Sequence, residues 1–150
     1  PSCWNVEEGT FKLYVEAGHD GAGSRWAQHI KPGDEILLGA VHAAQVPVKE
    51  VKVLCLVDLS ALGHALSLKQ LIDPVKFPLE VAVFLHEAYE VPDSLKLENP
   101  EFEFLYAENQ HNVSVLENWF MSKKIANYES ICIAGNTPMV SPVFFPLRSP

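Results

Sequence analysis

The chain has 150 residues and a formal net charge of −8, with 48% apolar residues. That length suits one full domain, or one domain with part of another, and buries roughly 70% of the unfolded surface without a disulfide or metal staple. Lys and Arg are scattered without a basic stripe, which argues against nucleic acid as a partner, and no run approaches the ~20 apolar residues of a membrane span.

Phe11–Glu16 alternates in the manner of a half-buried strand. A glycine-rich turn, Gly18–Gly23, leads to Ser24, which reads as the N-cap of a short helix over Arg25–Ile30. Lys31-Pro32-Gly33-Asp34 is a turn signal, and Glu35–Gly39 reads as another strand. Residues 40–50 carry no period and resemble a linker, dividing the chain at about 1–46 and 47–150.

Beyond it the rhythm changes. Val51–Val57 is a near-continuous apolar run, as in a strand covered on both faces. Ser60 is placed to cap a helix reaching about Ile72, with Leu62, Ala65, Leu66 and Leu71 on its apolar face, and Asp73-Pro74 stops it. Leu79–His86 is a second strand, 87–100 a polar loop, and Phe102–Tyr106 a third strand. Ser114-Val115-Leu116-Glu117 has the capping-box pattern and opens a helix towards Ile125, before a last strand, Ser130–Ala134. This alternation implies crossovers and a mostly parallel α/β sheet, whose ligands bind beyond the carboxyl ends of the strands.

Three segments could carry chemistry. Gly21-Ala22-Gly23-Ser24-Arg25-Trp26 joins a glycine turn to a helix start, which suits either an anion such as a pyrophosphate or a plain structural turn. Val57–Gly63 follows the first α/β strand; Ser60 is either a plain cap or a phosphate contact, and Asp58 at a strand end is costly unless solvated or used. Ile131–Val140 breaks at Gly135 into a small loop with Asn136 and Met139; the glycine admits close approach, and Met139 either covers a flat ring or fills the core. His64 reads as an ordinary helical histidine, and His86-Glu87 as either a ribose contact or a solvated loop entry. Trp26 and Trp119 read as core residues of their helices. The thiols Cys3, Cys55 and Cys132 lack the short spacing of a redox or zinc motif, and the histidines lack metal spacing, so no metal is expected and the setting reads as a reducing cytosol.

Taken together, these segments resemble the siderophore-interacting, FAD-binding branch of the ferredoxin–NADP reductase superfamily. Gly-Ala-Gly-Ser-Arg-Trp-Ala at 21–27 with Lys-Pro-Gly-Asp-Glu-Ile at 31–36 is similar to its flavin-pyrophosphate segment, Asp-Leu-Ser-Ala-Leu-Gly at 58–63 to the start of its nicotinamide-nucleotide domain, and Ala-Gly-Asn-Thr-Pro-Met-Val at 134–140 to its last nucleotide loop. The resemblance implies the end of a β-barrel FAD domain over 1–46 and an NAD(P)H-binding α/β domain over 47–150. It further implies hydride transfer from nicotinamide to FAD, then electrons to a small acceptor such as a ferric siderophore. By the same resemblance Gly21, Gly23, Ser24, Arg25 and Trp26 would hold FAD, Asp58 and Ser60 would face the nicotinamide as catalytic residues, and Gly135, Asn136 and Met139 would border the nucleotide.

The sequence also departs from that pattern. The family's R-x-Y-S/T flavin motif is expected before Pro1, Val57 stands where a glycine precedes the Asp, and Ala40-Val41-His42 replaces a Gly-Pro turn. Pro142 and Pro146 interrupt the expected last helix, each costing ~3 kcal/mol in a helix interior. The lack of an Arg after the second α/β strand favours NADH over NADPH. Two further expectations follow: the fold kept as a non-catalytic binding or interaction module, and self-association through the edges of a partial barrel.

Overall fold

A computed structural model describes residues 2–15, 17–18, 20–39, 46–47, 49–86, 89–109, 112, 114–136 and 138–141. Glu16, Glu87, Thr137, most of the expected linker and the prolines at 142 and 146 lie outside the described residues.

The α/β layer begins with β3 (Val53–Asp58), every residue of which is buried. Two short N-terminal strands precede it, β1 (Ser2–Asn5) and β2 (Thr10–Lys12), together with a helix, α1 (Ala22–His29). A single turn of 3-10 helix (Leu59–Ala61) leads from β3 into α2 (Leu62–Leu71), and β4 (Leu79–His86) follows. Then come α3 (Asp93–Glu98), β5 (Phe102–Ala107), α4 (Ser114–Ser122) and β6 (Ser130–Ala134). The four later strands are all parallel and lie in the order β5-β4-β3-β6. The chain therefore steps outward twice from β3 through α2 and α3, then returns through α4 to the other side of β3.

Side-chain alternation sorts the core into two faces. Val53, Cys55 and Val57 with Val81, Val83 and Leu85 pack against Leu62, Ala65, Leu66 and Leu68 of α2 and Leu95 of α3. Leu54, Leu56, Ala82 and Phe84 pack against Leu116, Trp119 and Phe120 of α4. With both faces covered the central strands must be apolar throughout, which is why β3 and β4 read as continuous runs. Each fully buried Val, Leu or Phe contributes about 1.5–3 kcal/mol.

Several expectations change in this layer. The stretch 87–100 contains α3, entered from Pro92 and anchored by the buried Leu95; Pro suits a helix start because it lacks only an N–H that would be unpaired there. α4 ends at Ser122, and a separate 3-10 turn covers Ile125–Asn127. Leu71 is exposed at the end of α2, although its spacing suggested the apolar face.

The first forty residues depart further. β1 and β2 form an antiparallel hairpin, with Trp4 and Phe11 rings 4.8 Å apart. The hairpin rests on α2 through the Trp4 N–H, which donates to Gln70 Oε1 at 2.9 Å, and on α3 through the Lys12–Glu98 ion pair at 2.9 Å. The strand expected over Phe11–Glu16 survives only as the end of β2, and Glu35–Gly39 forms no strand. Leu37 is fully solvent-exposed. Among the described residues nothing pairs with that segment, and an unpaired strand has no ladder to hold it. α1 begins earlier than expected: Gly21 is its N-cap, with no side-chain cap bond, and Ser24 lies inside the helix and is buried. Trp26 is 39% exposed and so is not a core residue, whereas Trp119 is. The turn at Lys31–Asp34 forms as expected: the Asp34 N–H donates to the Lys31 carbonyl, and the Lys31 N–H donates to Asp34 Oδ2.

Candidate functional site: a latched switch point

β4 leaves β3 on one side and β6 lies on the other, so the crossovers diverge between β3 and β6. That divergence is the usual ligand crevice of an open α/β sheet, just beyond the carboxyl ends of the strands. The ends that meet there are Asp58 and the Gly135–Asn136 turn after β6.

Asp58 is 3% exposed. Its Oδ1 accepts from the Ser60 N–H at 2.9 Å, the Ser60 hydroxyl at 2.6 Å and the Ala61 N–H at 3.2 Å. Its Oδ2 accepts from the Asn136 N–H at 2.6 Å. Oδ1 thus takes three donors and Oδ2 one, so both carboxylate oxygens are engaged by the protein's own groups. Asp58, not Ser60, therefore caps the turn after β3, and Ser60 sits exposed with its hydroxyl committed to Asp58. The bond to Asn136 crosses from β3 to the chain leaving β6, so Asp58 latches the two strands together where the crevice would open.

Gly135 makes the latch possible. Its φ is +151°, and a Cβ built there would stand 2.5 Å from Met139 Cε, 2.6 Å from Asp58 Cγ and 2.7 Å from Asp58 Oδ2. The close approach that glycine permits is made by the protein's own side chains. Met139 is 2% exposed and belongs to the α4-side core, so of the two readings of Met139 the core one holds. A helical turn starts at Pro138, where the Met139 and Val140 N–H groups both donate to the Asn136 carbonyl.

His86 ends β4 beside this latch. It lines a small cleft with Asp58, Phe84, Asn136, Pro138 and Met139. The cleft has about 10 Å³ of space, roughly room for one water. Among the described residues the buried His86 Nδ1 has no hydrogen-bond partner, and its ring meets Tyr89 edge-on with centroids 5.3 Å apart. His64 is exposed on α2.

A larger pocket of about 210 Å³ lies between the N-terminal segment and the α/β layer. Tyr14 and Val15 form one wall, Leu59 and Leu62 another, and Tyr89 and Leu95 close it. The segment entering α1 thus borders the residue that directly follows Asp58. Gly21 and Gly23 lie at the start of α1, where a Cβ on Gly23 would meet nothing within 4 Å, and Arg25 is ion-paired with Asp20. The structure does not bring Gly21–Trp26 into the Asp58 cleft.

The donor set fits the two implied cofactors unequally. For a flavin diphosphate, the start of α1 offers N–H groups without a side-chain cap and a first turn without an acidic residue, while its Arg25 is already paired with Asp20. For a nicotinamide nucleotide, Asp58, Gly135 and Met139 do not fit as expected from sequence: the carboxylate is buried and held by four donors of the chain itself, the space over the glycine is filled, and the methionine is buried. Ser60 and Asn136 remain exposed at that edge, and His86 is half-buried. Asp58 as the cap of its own turn had a signal in the sequence, since an Asp side chain commonly accepts from the backbone two residues on. The backbone contribution of Asn136 had none.

Comparison of the chain with protein-family models, with curated proteins and with solved structures finds no match. What the structure defines is a three-layer α/β unit with a parallel four-stranded sheet and an attached antiparallel hairpin. Among the described residues no helix is long and apolar enough to cross a membrane, and no cluster of metal-ligating side chains occurs.

Proposed function

We propose that the chain is the nucleotide-domain-bearing part of a flavin-dependent NAD(P)H oxidoreductase, similar to ferric-siderophore reductases, with residues 1–46 ending the FAD domain and 47–150 forming the nucleotide domain. The observation that carries this reading is the junction. A glycine-opened helix and an antiparallel hairpin precede a doubly wound sheet, and Tyr14–Val15 on the first part borders Leu59 at the carboxyl edge of the second. A reductase of this type needs two ligand segments to meet at that edge. FAD would supply electron transfer to the acceptor; this chain's part would be to hold its diphosphate at the start of α1 and to shield the junction from water. Asp58 serves as the latch that shapes the edge and is assigned no role in the chemistry. The exposed Ile36–Leu38 segment supports the further reading that another chain or copy pairs there.

A second reading, a binding module without catalysis, is favoured by the latch itself, since the cleft at Asp58 holds only about one water. One experiment separates the two. The purified chain is incubated with FAD, passed through gel filtration, and its visible spectrum recorded before and after anaerobic NADH. A retained flavin band that bleaches supports the reductase. A retained band that NADH leaves unchanged supports the binding module, and a colourless chain removes independent flavin catalysis.

A further inference from the structure

Two of the three thiols face each other across the strands that flank the switch point. Cys55 on β3 and Cys132 on β6 are direct partners in the parallel register, and both point to the α2 face of the sheet. Neighbouring strands lie about 4.8 Å apart, which is inside the 4.4–6.8 Å span of Cα atoms joined by a disulfide. The two positions differ in access. Cys55 is fully buried, while Cys132 is half-buried because β6 is the outer strand of the sheet. The interaction with Cys55 pulls the Cys132 thiol down, and the interaction with Cys132, together with burial, pushes the Cys55 thiol up. The less buried of the two cysteines is thus also the one favoured as thiolate, the reactive form of cysteine.

We propose that Cys132 is an oxidant-reactive thiol and that Cys55 is its resolving partner, so that a hydroperoxide converts the pair to a reversible β3–β6 disulfide. The Cys132 thiolate attacks the distal peroxide oxygen, the O–O bond breaks, and the alcohol or water leaves with a proton from solvent; Cys132 becomes a sulfenic acid and the peroxide is reduced. The Cys55 sulfur, losing its proton, then attacks the Cys132 sulfur, the S–O bond breaks, and water leaves. Ordinary dithiols reverse the bond by exchange. The side chains of facing sheet residues sit somewhat farther apart than disulfide geometry prefers, and a strained bond of this kind is easily reduced.

The test uses the full chain carrying Cys3→Ser, so that the remaining thiol cannot form links between molecules. After limited hydrogen peroxide under folded conditions, checked by circular dichroism, peptide mass mapping is expected to find residues 55 and 132 joined, with both thiols recovered after dithiothreitol. In the Cys55→Ala variant the same treatment with dimedone is expected to label Cys132. A folded chain that shows no 55–132 link at peroxide doses that oxidise Cys3 in the unsubstituted chain overturns the proposal. So does a link that forms only once the circular dichroism signal is lost. The link in the Cys3→Ser chain decides the matter even if Cys55→Ala fails to fold.

Discussion

The two edges of the parallel sheet each hold a carboxylate that accepts from several donors, but the donors differ in kind. At the carboxyl edge, Asp58 is buried and takes three backbone N–H groups and one hydroxyl. At the amino edge, Glu80 on β4 takes Lys52 Nζ at 2.6 Å, Lys123 Nζ at 3.1 Å and the Tyr128 hydroxyl at 2.8 Å. Lys123 also reaches Glu103 at 2.9 Å and lies over the Trp119 ring. Backbone donors cannot move without moving the strands, so the Asp58 cage fixes the geometry of the switch point. The Glu80 cage hangs from flexible, partly exposed stems, so it is screened by salt and contributes less to rigidity.

The largest expected effect comes from filling the space that the latch needs. Gly135→Ala forces a Cβ to within 2.7 Å of Met139 and Asp58 atoms at a φ of +151°. Strain and overpacking together should cost about 4 kcal/mol in urea unfolding; a loss under about 1 kcal/mol would mean that the latch yields freely. Next comes Asp58→Asn. The amide keeps one acceptor oxygen and turns an NH₂ towards either the Asn136 N–H or the Ser60 and Ala61 donors, leaving buried donors unpaired at a cost of about 2–3 kcal/mol. Equal stability of the two proteins would show that the carboxylate is not the cap.

Glu80→Gln should cost about 1 kcal/mol or less, and its signature is pH dependence rather than size. Burial pushes the Glu80 carboxyl up, but hydrogen bonds from Lys52, Tyr128 and Lys123 outweigh it and hold the group down at about 2 from an ordinary 4.5. A carboxylate lowered in this way stabilises the fold above the unfolded value and loses that contribution as pH falls from about 4.5 to about 2. The native chain should therefore lose more stability than Glu80→Gln over that window, and the gap between the two should narrow in concentrated salt. Parallel acid-unfolding curves in high and low salt would deny the ionic nature of this edge. The smallest effect belongs to Ser60→Ala, about 0.5–1 kcal/mol, because the exposed hydroxyl is one of four donors and the backbone ones remain. A loss as large as that of Asp58→Asn would make the hydroxyl, not the backbone, the centre of the cage.

Within the α/β layer, the strands and their faces were legible because burial on both sides leaves a mark that turn chemistry cannot imitate: Leu79–His86 and Ser130–Ala134 run as their composition indicates. Ahead of that layer, Phe11–Glu16 and Glu35–Gly39 carry strand-like patterns of the same quality, yet only Thr10–Lys12 finds a partner among the described residues. Pattern reports how a strand would face a core and is silent on whether a neighbour exists to pair with it. The short helix Asp93–Glu98 escaped notice because six residues with one buried leucine scarcely differ from a polar loop.

The candidate site divides along the same line. Composition, apolar runs and crossover spacing determined the parallel α/β unit and placed Asp58, Ser60, Gly135 and Asn136 at its ligand edge, since those properties depend on local order along the chain. Only the tertiary structure decided what those residues do there. The return of β6 beside β3 brings residues 58 and 136 within one hydrogen bond, which turns an acid that looked available for chemistry into a buried latch. It also sets Cys55 against Cys132, a pairing of residues distant in sequence that no local pattern encodes, because strand order in space is a property of the tertiary packing.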